Sequence, residues 1–275
     1  MKKLSFFLIT VTLFAFGSCK ISYNTAYYKS NYAKLIDTST ISKGGVSITL
    51  SHMGLNEYFK PEYTHQFSVL WGSKQYLKST RHTIINLFYQ MTVYNVEITN
   101  NTNNVLSLAN SRIALILPDA PEPVFALSKS EMAKMAKENE LPCILFEMSQ
   151  TQSAYPNVNT KLAREAIQNA TFEIIKEKSI ISRTTEVLPG MKVKGYLIFP
   201  YNEEKIISGT VSFIDIKSST DEAGNTTLTS RFDYKITEAQ IHVKREYSQE
   251  QRKYLEFIPI SEEEYNTAQQ QSSIK

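Results

Sequence analysis

The sequence predicts a mainly β fold, a β-sandwich interrupted once by helices, and three observations carry that prediction. Apolar side chains recur at every second position over seven to nine short stretches. Clusters of Asn, Pro and Gly separate these stretches, as turns between strands require. Two segments with helical spacing lie together mid-chain, between about residues 128 and 178, rather than alternating with strands as βαβ units would.

The elements follow in order. From Gly44 onward Val46, Ile48 and Leu50 alternate with Ser47, Thr49 and Ser51, which predicts a half-buried strand. Residues 65–71 and 84–99 continue the pattern. In the second, Met91 and Val93 point one way and Tyr94, Val96 and Ile98 the other, so a bulge is expected near Tyr94. Asn100-Asn101-Thr102-Asn103-Asn104 is a turn, because Asn tolerates positive φ and bonds its own backbone. Ser111 to Leu117 is an apolar strand, ended by Pro118, Pro121 and Pro123, none of which can donate to a ladder. Pro142-Cys143-Ile144-Leu145-Phe146 reads as a buried strand in which Cys143 is a small hydrophobe.

Ser128-Lys129-Ser130-Glu131 has the spacing of a capping box and opens a first helix with Met132, Met135 and Ala136 on one face. The second helix runs from about Thr160 to Lys178. Ala163, Ala166, Ile167, Ala170 and Ile174 make its apolar stripe, and Lys161, Arg164, Glu165, Gln168 and Lys176 its mixed-charge face. Such a stripe packs against a core. Leu188-Pro189-Gly190 is a turn, after which Val193, Gly195, Leu197 and Phe199 alternate along a strand that stops at Pro200. Ser208 to Lys217 and Thr226 to Ile236 form a hairpin around the loop 221–225, and Ile241 and Val243 belong to a final strand. Beyond Ser248 the chain is polar, and Ser261-Glu262-Glu263-Glu264 provides a cap for a short helix.

The N-terminus is an address rather than a fold. Met1-Lys2-Lys3 is basic, Leu4 to Phe16 is apolar apart from Ser5, Thr10 and Thr12, and Gly17-Ser18 is small. That succession is a secretory signal. It falls short of the roughly 20 apolar residues that cross a bilayer. The ending Phe16-Gly17-Ser18-Cys19 resembles the lipobox of bacterial lipoproteins, in the looser form of Bacteroidetes lipoproteins, with Phe16 where Leu is usual. The resemblance implies cleavage before Cys19 and lipidation of Cys19. Each buried methylene contributes about 0.8 kcal/mol, so two or three chains anchor firmly. Residues 19–40, with Tyr23, Tyr27, Tyr28 and Tyr32 and no sustained period, read as the lipidated tether. The same resemblance implies an outer-membrane, periplasm-facing position, since Lys20 follows the cysteine and Ile21-Ser22-Tyr23-Asn24 has no acidic cluster. The expected organisation is therefore a signal peptide at 1–18, a tether at 19–40, the sandwich at 41–248 with its helical insertion at about 128–178, and a polar tail at 249–275.

Two further stretches, Tyr94 to Thr102 and Leu188-Pro189-Gly190 followed by Gly195 to Pro200, are similar to strand-and-turn patterns of Ig-like lipoproteins. This implies an Ig-like sandwich and carries over no functional residue besides Cys19.

Catalytic equipment is not evident in the sequence. His52, His65, His82 and His242 lack the i, i+4 spacing of a zinc helix, and Ser68 sits in no nucleophile elbow. Gly44-Gly45 is too little for a phosphate cradle. Glu203-Glu204 and Glu262-Glu263-Glu264 read as solvated carboxylates, and Trp71 as a core or sheet-edge residue. No catalytic, metal or cofactor residue is nominated, and no cofactor is expected. Without residues 1–18 the chain keeps 28 basic and 27 acidic residues, which leaves no footprint for nucleic acid. If Cys19 carries lipid, Cys143 has no disulfide partner. Three functions stay open: a non-enzymatic module that binds an envelope protein through loops or a sheet edge, a small-ligand binder whose helices cover a pocket on the sheet, and a hydrolase assembled by folding.

Overall fold

The structure, a computed structural model, describes residues 25–36, 39–53, 63–71, 74–154, 158–220, 226–248, 253–254 and 256–273. Residues 1–24, including the expected signal peptide and Cys19, lie outside the described residues. The chain divides into a larger unit, residues 30–241, and a smaller one made of residues 1–29 and 242–275. The fold is mainly β, with antiparallel sheets, one of them curled into a half-barrel, and a helical region mid-chain.

One sheet of the larger unit has the order β11 (Lys192–Phe199), β6 (Thr92–Asn100), β3 (Val46–His52), β2 (Thr40–Lys43). The other runs β1 (Thr25–Leu35), β13 (Thr226–Ser248), β12 (Ser208–Thr220), β8 (Arg112–Ile116), β9 (Val124–Phe125). Alternation turns one face of each sheet toward a shared core. Ile48, Leu50, Tyr94, Val96, Leu197 and Phe199 enter it from the first sheet, and Leu115, Val211, Phe213, Phe232 and Ile236 from the second. Buried tyrosines bring a hydroxyl that needs a partner. Tyr234 donates to the Ile48 carbonyl at 2.5 Å and Tyr94 to the Ala33 carbonyl at 3.1 Å.

A second core lies between the opposite face of the first sheet and three helices, α1 (Lys129–Glu138), α2 (Pro142–Ala154) and α3 (Thr160–Glu177). Val93 and Ile198 point into it and meet Met132, Ile144, Ile167 and Ile174 among others. This arrangement corrects the expected bulge. β6 pairs with β3 and β11 without a register shift. Its apolar residues occupy both faces because both faces are covered at this end of the strand. The β4 (Tyr63–Trp71) and β5 (Lys74–Ile85) hairpin also contacts α3.

The helices start where their caps dictate. Glu131 N–H donates to Ser128 Oγ at 3.2 Å while Ser128 N–H donates to Glu131 Oε2 at 2.8 Å, which completes the capping box of α1. Asn159 Oδ1 accepts from Leu162 N–H and caps α3, whose residues Ala163, Ile167, Ala170 and Ile174 are buried as expected. Among the described residues the insertion holds three helices rather than two, and the segment expected as a buried strand around Cys143 is the first turn of α2. Pro142 suits a first helical position, where its missing N–H costs nothing. Cys143, Ile144, Glu147, Met148 and Thr151 are buried at helical spacing while Leu145 is exposed.

Three more expectations are revised. Part of the expected tether, residues 25–35, is strand β1, and Ala33 within it is fully buried. The strand expected around Ile241 and Val243 is the continuation of β13, which is a single 23-residue strand. The polar tail contains β14 (Lys253–Tyr254), β15 (Ile258–Ile260) and α4 (Glu262–Ser273), so its helix forms and two short strands precede it. In the smaller unit β13 pairs with β14 and β15, and Ser261 Oγ accepts from Glu264 N–H to cap α4.

Candidate interaction surface

Three connections of the larger unit are locked together by one asparagine. Asn100 ends β6 fully buried. Its Nδ2 donates to the carbonyls of Asn104 at 2.7 Å and Val187 at 2.9 Å. Its Oδ1 accepts from Thr102 N–H at 3.0 Å and Thr102 Oγ1 at 2.6 Å. Asn100 thus uses the full capacity of its amide. Its backbone joins the Leu188–Met191 turn, donating to the Met191 carbonyl at 2.9 Å and accepting from Gly190 N–H at 2.8 Å. Gly190 has φ +70°, as the sequence requires of the glycine in a Pro-Gly turn.

The third connection is Gly44-Gly45, the two-residue turn between β2 and β3, with φ +55° and +76°. Two positive φ values suit a tight hairpin. Gly45 also lets the Asn turn approach. A Cβ there would stand 2.9 Å from Thr102 Cγ2, and the Gly45 carbonyl accepts from Asn101 N–H at 2.8 Å. On this hydrogen-bonded support Val105, Leu188 and Met191 remain 51%, 56% and 58% exposed. The asparagine turn after β6 and the turn before β11 therefore meet, through Asn100.

The outer face of the β11-β6-β3-β2 sheet is polar beyond the helices. Cross-strand pairs join the hydroxyls of Thr40 and Thr49 at 2.9 Å and of Ser42 and Ser47 at 2.7 Å. Glu97 lies 2.6 Å from Lys194 Nζ and 3.3 Å from Lys192 Nζ, and hydrogen bonds from Lys194 and then Lys192 hold its carboxyl below the usual range. A hollow of about 390 Å³ opens here, lined by Thr49, Ser51, Asn95, Glu97, Lys194 and Tyr196. Gly195 builds its wall, since a Cβ there would sit 2.3 Å from the Ser179 carbonyl oxygen that accepts from Tyr196 N–H.

Folding also brings His52 to Glu203, 2.7 Å from Nε2 to Oε1. Glu203 accepts in addition from Ala33 N–H at 2.9 Å, and the rings of Tyr32 and Tyr94 flank His52. Burial, and then the Glu203 charge, pushes the Tyr94 hydroxyl well above its ordinary range. The expected solvated carboxylate at Glu203 is thus a bonded one, its side chain 13% exposed. His242 packs on the Tyr265 ring, and Cys143 is buried. The side chains of His65, Ser68, Trp71 and His82 lie outside what the structure describes.

Among the described residues no three His, Cys, Asp or Glu side chains gather as a metal site would need. No helix among them is long and apolar enough to cross a membrane. The roles of Asn100, His52 and Glu203 escaped the sequence, because each depends on partners far along the chain. The asparagine run gave a signal for a turn but none for a buried hub. The chain matches no family model, no curated protein and no solved structure.

Proposed function

We propose that this chain is a lipid-anchored lipoprotein of the cell envelope, delivered to the outer membrane and facing the periplasm, whose Ig-like sandwich is a non-enzymatic binding module. The observation that carries the binding role is the loop cluster around Asn100, where three apolar side chains stay exposed on a hydrogen-bonded support. Apolar contact surface on a rigid scaffold binds at a low entropic cost. Loops gathered at one end of the β11-β6-β3-β2 sheet suit an Ig-like module. The partner is an envelope protein presenting an apolar segment to Val105, Leu188 and Met191. The anchor rests on the lipobox-like Phe16 to Cys19.

A photo-crosslinking side chain at Leu188, in cells carrying the whole protein, is expected to give a discrete adduct that Met191→Glu removes. The same side chain at exposed Lys217 should give none. Equal adducts at both positions, or none at Leu188, would sink the binding role. Palmitate-analogue labelling that persists in Cys19→Ser would sink the anchor. The hollow beside Glu97 favours a second reading, a small polar ligand held by Asn95, Glu97, Lys194 and the Tyr196 ring. The helices do not cover it as a pocket, because the space beneath them is filled by the second core.

A further inference from the structure

We infer that the smaller unit docks on the bilayer that holds the lipid, presenting Tyr28 and Arg245 to the headgroup layer. The inference rests on lipidation of Cys19. β1 begins at Thr25, so only residues 20–24 separate Cys19 from folded chain. Six residue steps span at most about 20 Å when fully extended. The start of β1 therefore stays within that distance of the acylated cysteine, because residues 25–35 of the expected tether are strand.

Side chains at this end of β1 are divided by face. Tyr27 shares a hollow with Ser261, Glu263, Glu264 and Thr267, so its side of the strand is the side of α4 and its acidic first turn. Alternation puts Tyr28 on the other side. There the Tyr28 ring, 43% exposed, meets Phe257 edge-on at 5.5 Å, and the Arg245 guanidinium lies 4.7 Å from the centre of the Phe257 ring. One side thus carries carboxylates, with Glu264 paired to Lys244 at 3.2 Å, and the other an amphipathic ring and a cation. Phenolic rings are at home at the headgroup level, and a basic side chain near it is drawn to anionic lipid while carboxylates are repelled. A unit held this close by its lipid turns the Tyr28 side toward the bilayer.

The test uses the full lipidated protein in vesicles of phosphatidylethanolamine and phosphatidylglycerol that contain headgroup-nitroxide lipid. Tyr28→Cys and, separately, Gln270→Cys on α4 are labelled with a fluorophore. Labelling is confined to the new thiol, because Cys19 is acylated and Cys143 is only 1% exposed. Quenching several-fold stronger at position 28 than at position 270 is expected. Ala26→Cys, two residues back and on the same side of the strand, repeats the comparison if Tyr28→Cys lowers the melting temperature. Equal quenching at the two sites means that the unit tumbles on its lipid, which overturns the docking while acylation stands. Absence of palmitate-analogue label on Cys19 overturns the anchor itself, and the docking with it.

Discussion

Glu147 and Glu131 are both helical carboxyls, and their surroundings give them opposite effects on stability. Glu147 is 7% exposed on α2, one turn from Cys143 on one side and from Thr151 on the other. Burial pushes its carboxyl up to about 7. The folded state then holds the proton more tightly than the unfolded chain, whose carboxyl titrates near 4.5. Stability is full below the unfolded value, declines as pH rises from there to about 7, and is flat above. The loss at the plateau is about 3 kcal/mol at most. Glu131 is the reverse case. The Ser128 hydroxyl and then the Ser128 N–H hold its carboxyl low, so its contribution is present at neutral pH and is lost as pH falls through the lowered value. Glu147→Gln is therefore expected to raise the melting temperature at pH 8 and to leave it nearly unchanged at pH 4.5. Thermal unfolding at the two pH values checks this, and an equal shift at both would refute the titration argument.

Elements were legible where a period ran long enough to identify itself. α3 buries Ala163, Ile167, Ala170 and Ile174 of the expected stripe over three turns, and α1 carries its capping box. α2 was not legible, because Cys143-Ile144-Leu145-Phe146 is too short an apolar run to separate strand from helix. β1 hid for a different reason. Its only fully buried residue is Ala33, so hydrogen bonding holds it in the sheet more than apolar alternation does. The change of face along β6 was real, but a second layer of helices produces the same pattern as a bulge. At the candidate site the turns were legible and the hub was not, since Asn100 reaches the Val187 carbonyl 87 residues away. For α3 the packing has a direct test. Ile167 is fully buried in the second core. Ile167→Asp places an unpaired charge there and is expected to cost about 4 kcal/mol. A melting temperature unchanged from wild type would mean that the stripe serves a partner or membrane instead.

At the scale of the molecule, chain segments far apart in sequence complete the larger unit. Ile36 N–H donates to the Lys235 carbonyl at 3.0 Å, and Asn31 Nδ2 donates to Glu238 Oε1 at 2.7 Å. Ala33 supplies the N–H that Glu203 accepts and the carbonyl that receives the Tyr94 hydroxyl. A fragment spanning residues 41–250, which takes in the sandwich expected at 41–248, would lack all of these. It would leave a row of unpaired backbone groups along β13, and an open strand edge invites pairing with another chain. The Tyr94 hydroxyl and Glu203 would also lose partners, and an unpaired buried polar group costs about 1–3 kcal/mol. A fragment of residues 25–273 is expected to unfold cooperatively, with a mainly β circular dichroism spectrum that includes a helical share. The 41–250 fragment is expected to melt about 10 °C lower or to aggregate, as a loss of three or four kcal/mol implies for a chain of this size. Matching midpoints for the two fragments would show that β1 is an accessory to the fold, and the short distance from Cys19 to the folded body would then no longer follow.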